Sequence, residues 1–365
     1  MRIAFYSPIA KPDLETPSGI SRVGALLVRA LEDAGHTVAV VSLPRSFEGK
    51  GDPARQRYLF AECEKAARNY LEGVANGREP RPDFWFSYHV YYKSPDWIGP
   101  RVAKTLNIPY VIAEASHAPK RAKGPWAFAH DGATKAIESA DRLLAMTSFD
   151  RVCLEWIAED RVRDLKPFID PAPFTRDVTG DAARNLVIAV GMMRNERKLA
   201  SYRLLAEALS LISYPQLNLE IAGDGPYRGE IEAMFEPAQK FHAVTFSGAV
   251  AAHDMPLHLE KSGVLAWPGI GEAYGLAYLE AQAAGLAVVA CRDRGVPDVV
   301  REGETALLSE PGDVAAYADN LLRMITDRSL REKFGNAAPA FVQNERSIEA
   351  ASRALTGILA EIAPR

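Results

Sequence analysis

Short runs of β-branched and aromatic residues alternate along the chain with longer stretches in which apolar residues recur every three to four positions. In the first half the runs fall at 3–7, 37–43, 84–88, 110–113 and 143–147. Between the first two, Val23, Leu26, Leu27, Ala30 and Leu31 mark one face of a helix over 21–34, with Gly35 as a stop. A second helix is predicted over 55–74. After residue 185 the pattern restarts, with strands predicted at 186–191, 217–223, 244–247, 264–267 and 287–291. Helices are predicted at 201–212, 273–284 and 314–325, and a last one at about 348–362. Strand–helix alternation of this kind builds βαβ units around a parallel sheet. The segment 165–181 breaks the period with three prolines and is the expected linker. The expected architecture is α/β, with two Rossmann-like domains facing across a cleft. The first covers 1–165 and the second 166–344, and a C-terminal helix at about 345–365 packs back on the first. Ligands of such folds collect at the carboxyl ends of the strands.

Composition narrows the class without changing that picture. The chain has 365 residues, 48% of them hydrophobic and 25% charged, enough for two cores without a structural metal or disulfide. The net charge of −4 argues against a nucleic-acid partner held by a basic surface. Cys63, Cys153 and Cys291 are far apart and unpaired in spacing, which suits a reducing compartment and no zinc site. The first residues read as a strand rather than a secretory leader, and no apolar run approaches the roughly 20 residues of a membrane span. The expected location is the cytoplasm, with any membrane contact peripheral, at the inner face.

Candidate chemistry concentrates in 264–300. A strand ends in a glycine-rich loop and a helix follows, with Glu272 ahead of the helix and Glu280 on it, seven residues lying between the two. The helix start, around Ala273, Tyr274, Gly275 and Leu276, offers amide groups and the positive end of a helix dipole, which suits a diphosphate. Glu280 interrupts an otherwise apolar helix, and ribose hydroxyls would satisfy it. The same spacing also fits a dipole-complementing Glu272 and a solvated Glu280.

The segment from Glu272 through Ala290 closely resembles the paired-glutamate signature of family 4 retaining glycosyltransferases of the GT-B fold. Residues 191–209, 221–232 and 244–250 resemble that family's phosphate loop, its Gly-Asp-Gly-Pro turn and its next strand, in the same order. The likeness is close over about 180–335 and loose before it. It implies that a sugar moves from a nucleoside diphosphate sugar to an acceptor with retention of configuration. It implies no cofactor beyond that donor and no metal; the chain has no Asp-x-Asp clamp. Glu272 would contact the sugar and Glu280 the ribose, with the amides near Tyr274, Gly275 and Leu276 on the phosphates. Arg194 and Lys198 would balance the diphosphate charge, with Arg197 as the alternative to Lys198. Gly223, in the Gly-Asp-Gly-Pro turn, would lie near the base, although glycines also serve turns for backbone reasons alone. Met192 and Leu199 depart from the family's Arg and Gly at those places.

The first half carries weaker signals. Gly19, where the family has a glycine pair, and Arg22 on the next turn are candidates for an anion or acceptor contact; an ordinary loop fits equally. His117, after the strand at 110–113, matches loosely a histidine that family members place near the transferred sugar, and His89 is the second choice. Lys120, Arg121 and Lys123 with Trp126 and Phe128 suit an anionic acceptor or a membrane surface, but equally a solvated loop. The acceptor class stays open between a glycan, a lipid-linked glycan and a small molecule. A GT-B scaffold without activity, and a nucleotide-sugar epimerase or hydrolase, are the competing functions. The loop 7–21 lacks the glycine fingerprint of a dinucleotide enzyme.

Overall fold

The computed structural model describes residues 1–14, 18–175, 186–213 and 215–363. The chain divides into two compact units, Met1–Lys166 with Ile348–Arg365, and Pro167–Ser347. Residues 15–17 of the first glycine loop and 176–181 of the expected linker lie outside the described residues.

In the first unit β1 (Arg2–Tyr6), α1 (Gly19–Asp33), β2 (Thr37–Val40), α2 (Pro53–Ala75) and β3 (Phe84–Val90) follow one another. Then come α3 (Gly99–Leu106), β4 (Tyr110–Ala115), α4 (Ala127–Ser139), β5 (Arg142–Ala145), α5 (Ser148–Ala158) and β6 (Val162–Asp164). The strands form one parallel sheet in the order β2-β1-β3-β4-β5-β6.

The second unit holds β7 (Leu186–Val190), α6 (Asn195–Leu211), β8 (Asn218–Ala222), α7 (Arg228–Phe235), β9 (Ala243–Gly248) and α8 (Met255–Glu260). It continues with β10 (Ser262–Ala266), α9 (Leu276–Ala283), β11 (Ala287–Cys291), β12 (Ala306–Ser309), α10 (Val314–Thr326) and α11 (Arg328–Glu345). Its sheet is also parallel, in the order β12-β11-β10-β7-β8-β9. The last helix, α12 (Ile348–Ala360), belongs to the first unit, where it packs on α1. Just beyond it Glu361 takes Arg142 at 3.0 Å and Arg163 at 2.8 Å.

Helices on both faces of a parallel sheet leave its central strands no solvated side, and their sequences are accordingly mostly apolar. Every residue of β10 and β11 is buried. Each buried Val or Leu there stabilises the fold by roughly 2 kcal/mol over an exposed one. β9, at a sheet edge, instead alternates exposed and half-buried residues. Local chemistry sets the helix starts. Asp52 accepts from the amides of Ala54 and Arg55 ahead of α2, and Asp313 and Asp327 cap α10 and α11 in the same way.

The observed elements depart from the expected ones at particular places. Helix α6 begins at Asn195 rather than 201, so Arg197 and Lys198 ride on a helix instead of a loop. Helix α9 begins at Leu276 rather than 273, because Gly275 takes the left-handed conformation (φ 81°) and keeps Ala273 and Tyr274 in the loop. Helix α11 contains Gly335 and Pro339, residues that disfavour a helix, and the burial of Phe334, Phe341 and Val342 holds it together. Gly335 is there for space, since a Cβ would come within 2.6 Å of the Gly285 carbonyl oxygen. The described part of the expected linker is packed structure. Phe168 and Ile169 are buried, the Ile169 amide donates to the Arg346 carbonyl at 2.9 Å, and Ile169 bridges to Ser347.

Candidate active site

In the second sheet the chain leaves β7 through α6 toward β8, and leaves β10 through α9 toward β11 on the other side. The connections after the neighbouring strands β7 and β10 therefore run in opposite directions. A crevice opens at such a switch point, at the carboxyl ends of the strands.

Trp267 continues β10 and is fully buried, with Tyr202 of α6 edge-on at 4.9 Å. The Tyr202 hydroxyl donates to the Gly191 carbonyl after β7, and a Cβ on Gly191 would come within 2.7 Å of the Trp267 ring. The Lys198 ammonium stands 5.3 Å above that ring and 2.6 Å from Glu272 Oε2. This cation thus sits on an aromatic face while paired to a carboxylate. Both side chains remain about one-fifth exposed, at 22% and 20%.

The loop that carries Glu272 is stapled on every side. The Ile270 amide donates to Ser201 Oγ at 2.9 Å and the Gly271 amide to Asp293 Oδ2 at 2.7 Å. The Glu272 amide donates to the Gly269 carbonyl at 3.0 Å, and its carbonyl accepts from Gly295 at 3.1 Å. Gly269 cannot carry a side chain, because its Cβ would fall 2.0 Å from the Tyr278 hydroxyl. That hydroxyl donates to the Trp267 carbonyl at 2.9 Å. Burial pushes the Tyr278 phenol well above 10.0, so it stays a neutral donor.

The amides of 270–272 are thus already engaged, by Ser201, Asp293 and Gly269, and the expected row of open amides around Glu272 starts later. No side chain among the described residues caps α9. Its Tyr278 amide turns back to Gly275, while those of Leu276 and Ala277 have no protein acceptor among the described residues. Tyr274 is buried, and its hydroxyl accepts from the Phe168 amide at 3.2 Å. Glu280, the fifth residue of α9, is 5% exposed, which excludes the solvated face as its environment.

Arg197 lies over the same loop; a Cβ on Gly271 would come within 2.5 Å of its Cδ. Lys198, not Arg197, meets Glu272. Arg194 is exposed at the start of α6. Gly223 turns toward protein, since a Cβ there would come within 1.9 Å of the Gly191 carbonyl oxygen. With it, the Met193 amide donates to the Asp224 carbonyl at 2.8 Å, so this turn braces the loop after β7. Asp293, Ser201 and Trp267 were not singled out from the sequence. Only the position of Asp293 and Trp267 at the carboxyl ends of β11 and β10 pointed to them.

In the first unit, Gly19 opens α1 with nothing within 4 Å of a Cβ among the described residues, and Arg22 is half-buried on the same turn. His117, beyond β4, has its ring tilted against that of His130 at 5.1 Å, and its Nδ1 is buried without a hydrogen bond among the described residues. His89 does not join it; it pairs with Glu114 at 3.0 Å. In the basic run Lys120 and Lys123 are exposed, Arg121 lies 5.2 Å over the Tyr92 ring, and Trp126 is buried. No helix among the described residues is long and apolar enough to cross a membrane.

Residues 176–341 match the family model "Glycosyl transferases group 1". Among curated proteins, the sulfoquinovosyl transferase SQD2 of Arabidopsis thaliana is 33% identical over 164 residues, 44% of this chain and 30% of that protein. The 2-deoxystreptamine N-acetyl-D-glucosaminyltransferase of Niallia circulans is 25% identical over 54% of this chain and 50% of its own length. The chain thus spans half or less of the length of these two relatives. Solved structures match along the whole chain. Sucrose-phosphate synthase from Thermosynechococcus elongatus has a TM-score of 0.73 at 19% identity, covering 99% of this chain and 98% of its own. Anabaena HepE, solved with UDP, has a TM-score of 0.71 at 15% identity, covering 99% and 100%. These likenesses show the fold, the two-domain α/β architecture called GT-B.

Proposed function

We propose that the protein is a glycosyltransferase that moves a sugar from a nucleoside diphosphate sugar to a hydroxylated acceptor, retaining the anomeric configuration. The observation that carries the reading is the Lys198–Glu272 pair at the switch point of the second sheet, beside the uncapped start of α9. On this reading the second unit is the donor domain. The diphosphate lies on the Leu276 and Ala277 amides, where the helix dipole favours negative charge. Lys198 turns from Glu272 to the phosphate as the donor enters, and Arg194 and Arg197 add positive charge at the rim. The released carboxylate of Glu272 then takes a hydroxyl of the transferred sugar, and Glu280 takes the ribose.

The leaving group gains charge as the bond between the anomeric carbon and the phosphate oxygen lengthens. Fixed cations and amides stabilise that charge without reorganising, which lowers the barrier. The acceptor oxygen bonds to the anomeric carbon on the face the phosphate leaves, and its proton passes to the departing phosphate oxygen. The products are the retained glycoside and the nucleoside diphosphate. These roles need no divalent ion, and on this reading the first unit binds the acceptor. The matched family model and the relatives named as glycosyltransferases support the class of reaction.

The test is product analysis by proton NMR after incubation with a panel of nucleoside diphosphate sugars and candidate acceptors, with the donor alone as control. The α-linked product from an α-linked donor is expected. An inverted product overturns retention, and conversion of the donor to an epimer or free sugar at the same rate without acceptor overturns transfer.

A further inference from the structure

The carboxyl edge of the first sheet holds groups that the donor reading does not use. Strands β3 and β4 run side by side there, Tyr88 against Ala113 and Val90 against Ala115. Between those two pairs, His89 and Glu114 both enter the left-handed region, at φ 66° and 57°. A residue with a Cβ is strained in that conformation and keeps it only where its surroundings over-determine it. Two such residues on adjacent strands are a local conformational cost, and both put a polar side chain where it is largely buried.

Their side chains meet, with His89 Nδ1 3.0 Å from Glu114 Oε1, and both are largely buried. The contact is incomplete. Among the described residues His89 Nδ1 makes no aligned hydrogen bond, and Glu114 Oε2 is buried without a hydrogen-bond partner. Burial by itself lowers the His89 pKa, but the Glu114 charge outweighs it and holds the imidazole above 6.5. Other unpartnered atoms lie along the same stretch of chain: Ser94 Oγ, His117 Nδ1, Arg121 Nε and His130 Nε2. Of nine buried, unpartnered side-chain polar atoms among the described residues, six fall between His89 and His130. Buried polar atoms in native proteins nearly always have partners, so such a concentration marks groups that something else satisfies. Aromatic rings continue from the pair. Tyr91 stands edge-on to His89 at 5.2 Å, Tyr92 to Tyr91 at 5.4 Å, and Trp126 to Tyr92 at 5.1 Å.

The chemistry selects a ligand class. A carboxylate only accepts and an imidazolium only donates, so the pair offers one acceptor and one donor side by side. An anion would be repelled by Glu114 and a simple cation by His89. Two neighbouring hydroxyls satisfy both, because each hydroxyl donates and accepts. We propose that this edge binds a polyhydroxylated ring, a sugar or cyclitol, through His89 and Glu114 against the Tyr91 and Tyr92 rings. That this ring is the acceptor rests on the glycosyltransferase reading; that it binds here does not. Glu114 is then a specificity-determining residue for the position of the two hydroxyls.

Saturation-transfer NMR on the full chain tests this with methyl α-D-glucopyranoside, methyl α-D-galactopyranoside and myo-inositol as probes. Uridine, guanosine and adenosine diphosphates are titrated separately by calorimetry. At least one ring probe is expected to bind. Glu114→Gln and His89→Asn are expected to weaken it about tenfold, as for a lost hydrogen bond to a charged group, and to leave nucleotide binding unchanged. Binding of no probe, or full binding by both variants, overturns the proposal. Failure of every nucleotide tells instead against the donor reading, so the two are judged on different ligands. Glu114→Gly separates function from structure by relieving the left-handed strain. Its thermal midpoint is expected at or above that of the wild type, with probe binding gone. A clearly lower midpoint with probe binding retained makes Glu114 structural and overturns its assignment.

Discussion

The two sheets share a parallel, six-stranded plan, yet their carboxyl edges are finished in opposite ways. In the second unit the loops around Glu272 are closed by bonds from main-chain amides and by glycines whose Cβ positions are already filled by Gly191 or Tyr278. In the first unit the edge carries strain at non-glycine residues and unpartnered side-chain atoms. The difference teaches that one edge is specified by backbone shape and the other by side-chain chemistry. A backbone-specified site suits a ligand part common to many substrates, such as a diphosphate. A side-chain site suits a part that varies between relatives.

Breaking the backbone-specified edge should give the largest effects. Glu272→Ala removes the carboxylate assigned to the sugar. Turnover is expected to fall about a thousandfold, on the order of 4 kcal/mol in transition-state stabilisation, while donor affinity changes little. Steady-state kinetics on the productive donor read both, and unchanged turnover would remove Glu272 from the chemistry. Next is Gly223→Ala, whose Cβ falls on the Gly191 carbonyl oxygen. It should destabilise the fold by about 3 kcal/mol, the upper range for overpacking, measured by urea unfolding. Gly19→Ala, with open space at its Cβ among the described residues, is the matched control and should change stability by less than about 1 kcal/mol. Equal losses at the two glycines would dissolve the contrast.

Lys198→Met should weaken donor binding about tenfold, the scale of one charge-assisted contact. If Arg197→Met had that effect and Lys198→Met none, the phosphate contact would pass to Arg197.

The smallest effect is in pH. His117 is held below 6.5 by burial and by His130, and His130 by burial. Between their lowered values and 6.5 the unfolded chain binds more protons than the folded one, so stability rises with pH through that window. His89 runs the other way. Its raised value adds stability that is complete below 6.5 and lost as pH rises through the folded value. Thermal midpoints from pH 5 to 8 should therefore rise less steeply at the acid end in His117→Asn than in the wild type. A steeper rise in that variant contradicts the burial argument.

Much of this contrast follows from what a sequence displays. The buried strand β11 is apolar throughout and was legible to the residue at 287–291, and β10 departs from an apolar run only at Ser262 and Gly263. Glycine clusters and the paired glutamates stood out in the second half. The contact between Lys198 and Glu272 did not, because 74 residues separate them and no periodicity links them. The start of α6 was hidden because its first residues, Asn195–Lys198, are all polar. Gly335 and Pro339 hid α11 by arguing against the helix that tertiary packing imposes. In the first unit, His89 and Glu114 carry no glycine or proline to announce a left-handed turn, and their pairing depends on the register of β3 with β4.

The central claim is that the switch point of the second sheet holds a nucleoside diphosphate, its phosphates on the start of α9 and its ribose on Glu280. Calorimetric titration of the whole chain with uridine, guanosine and adenosine diphosphates, in the presence of a metal chelator, tests it most directly. Saturable one-to-one binding of at least one of them, weakened about tenfold by Glu280→Gln, is the predicted result. No binding by any of the three, or the same affinity in the variant, contradicts the account.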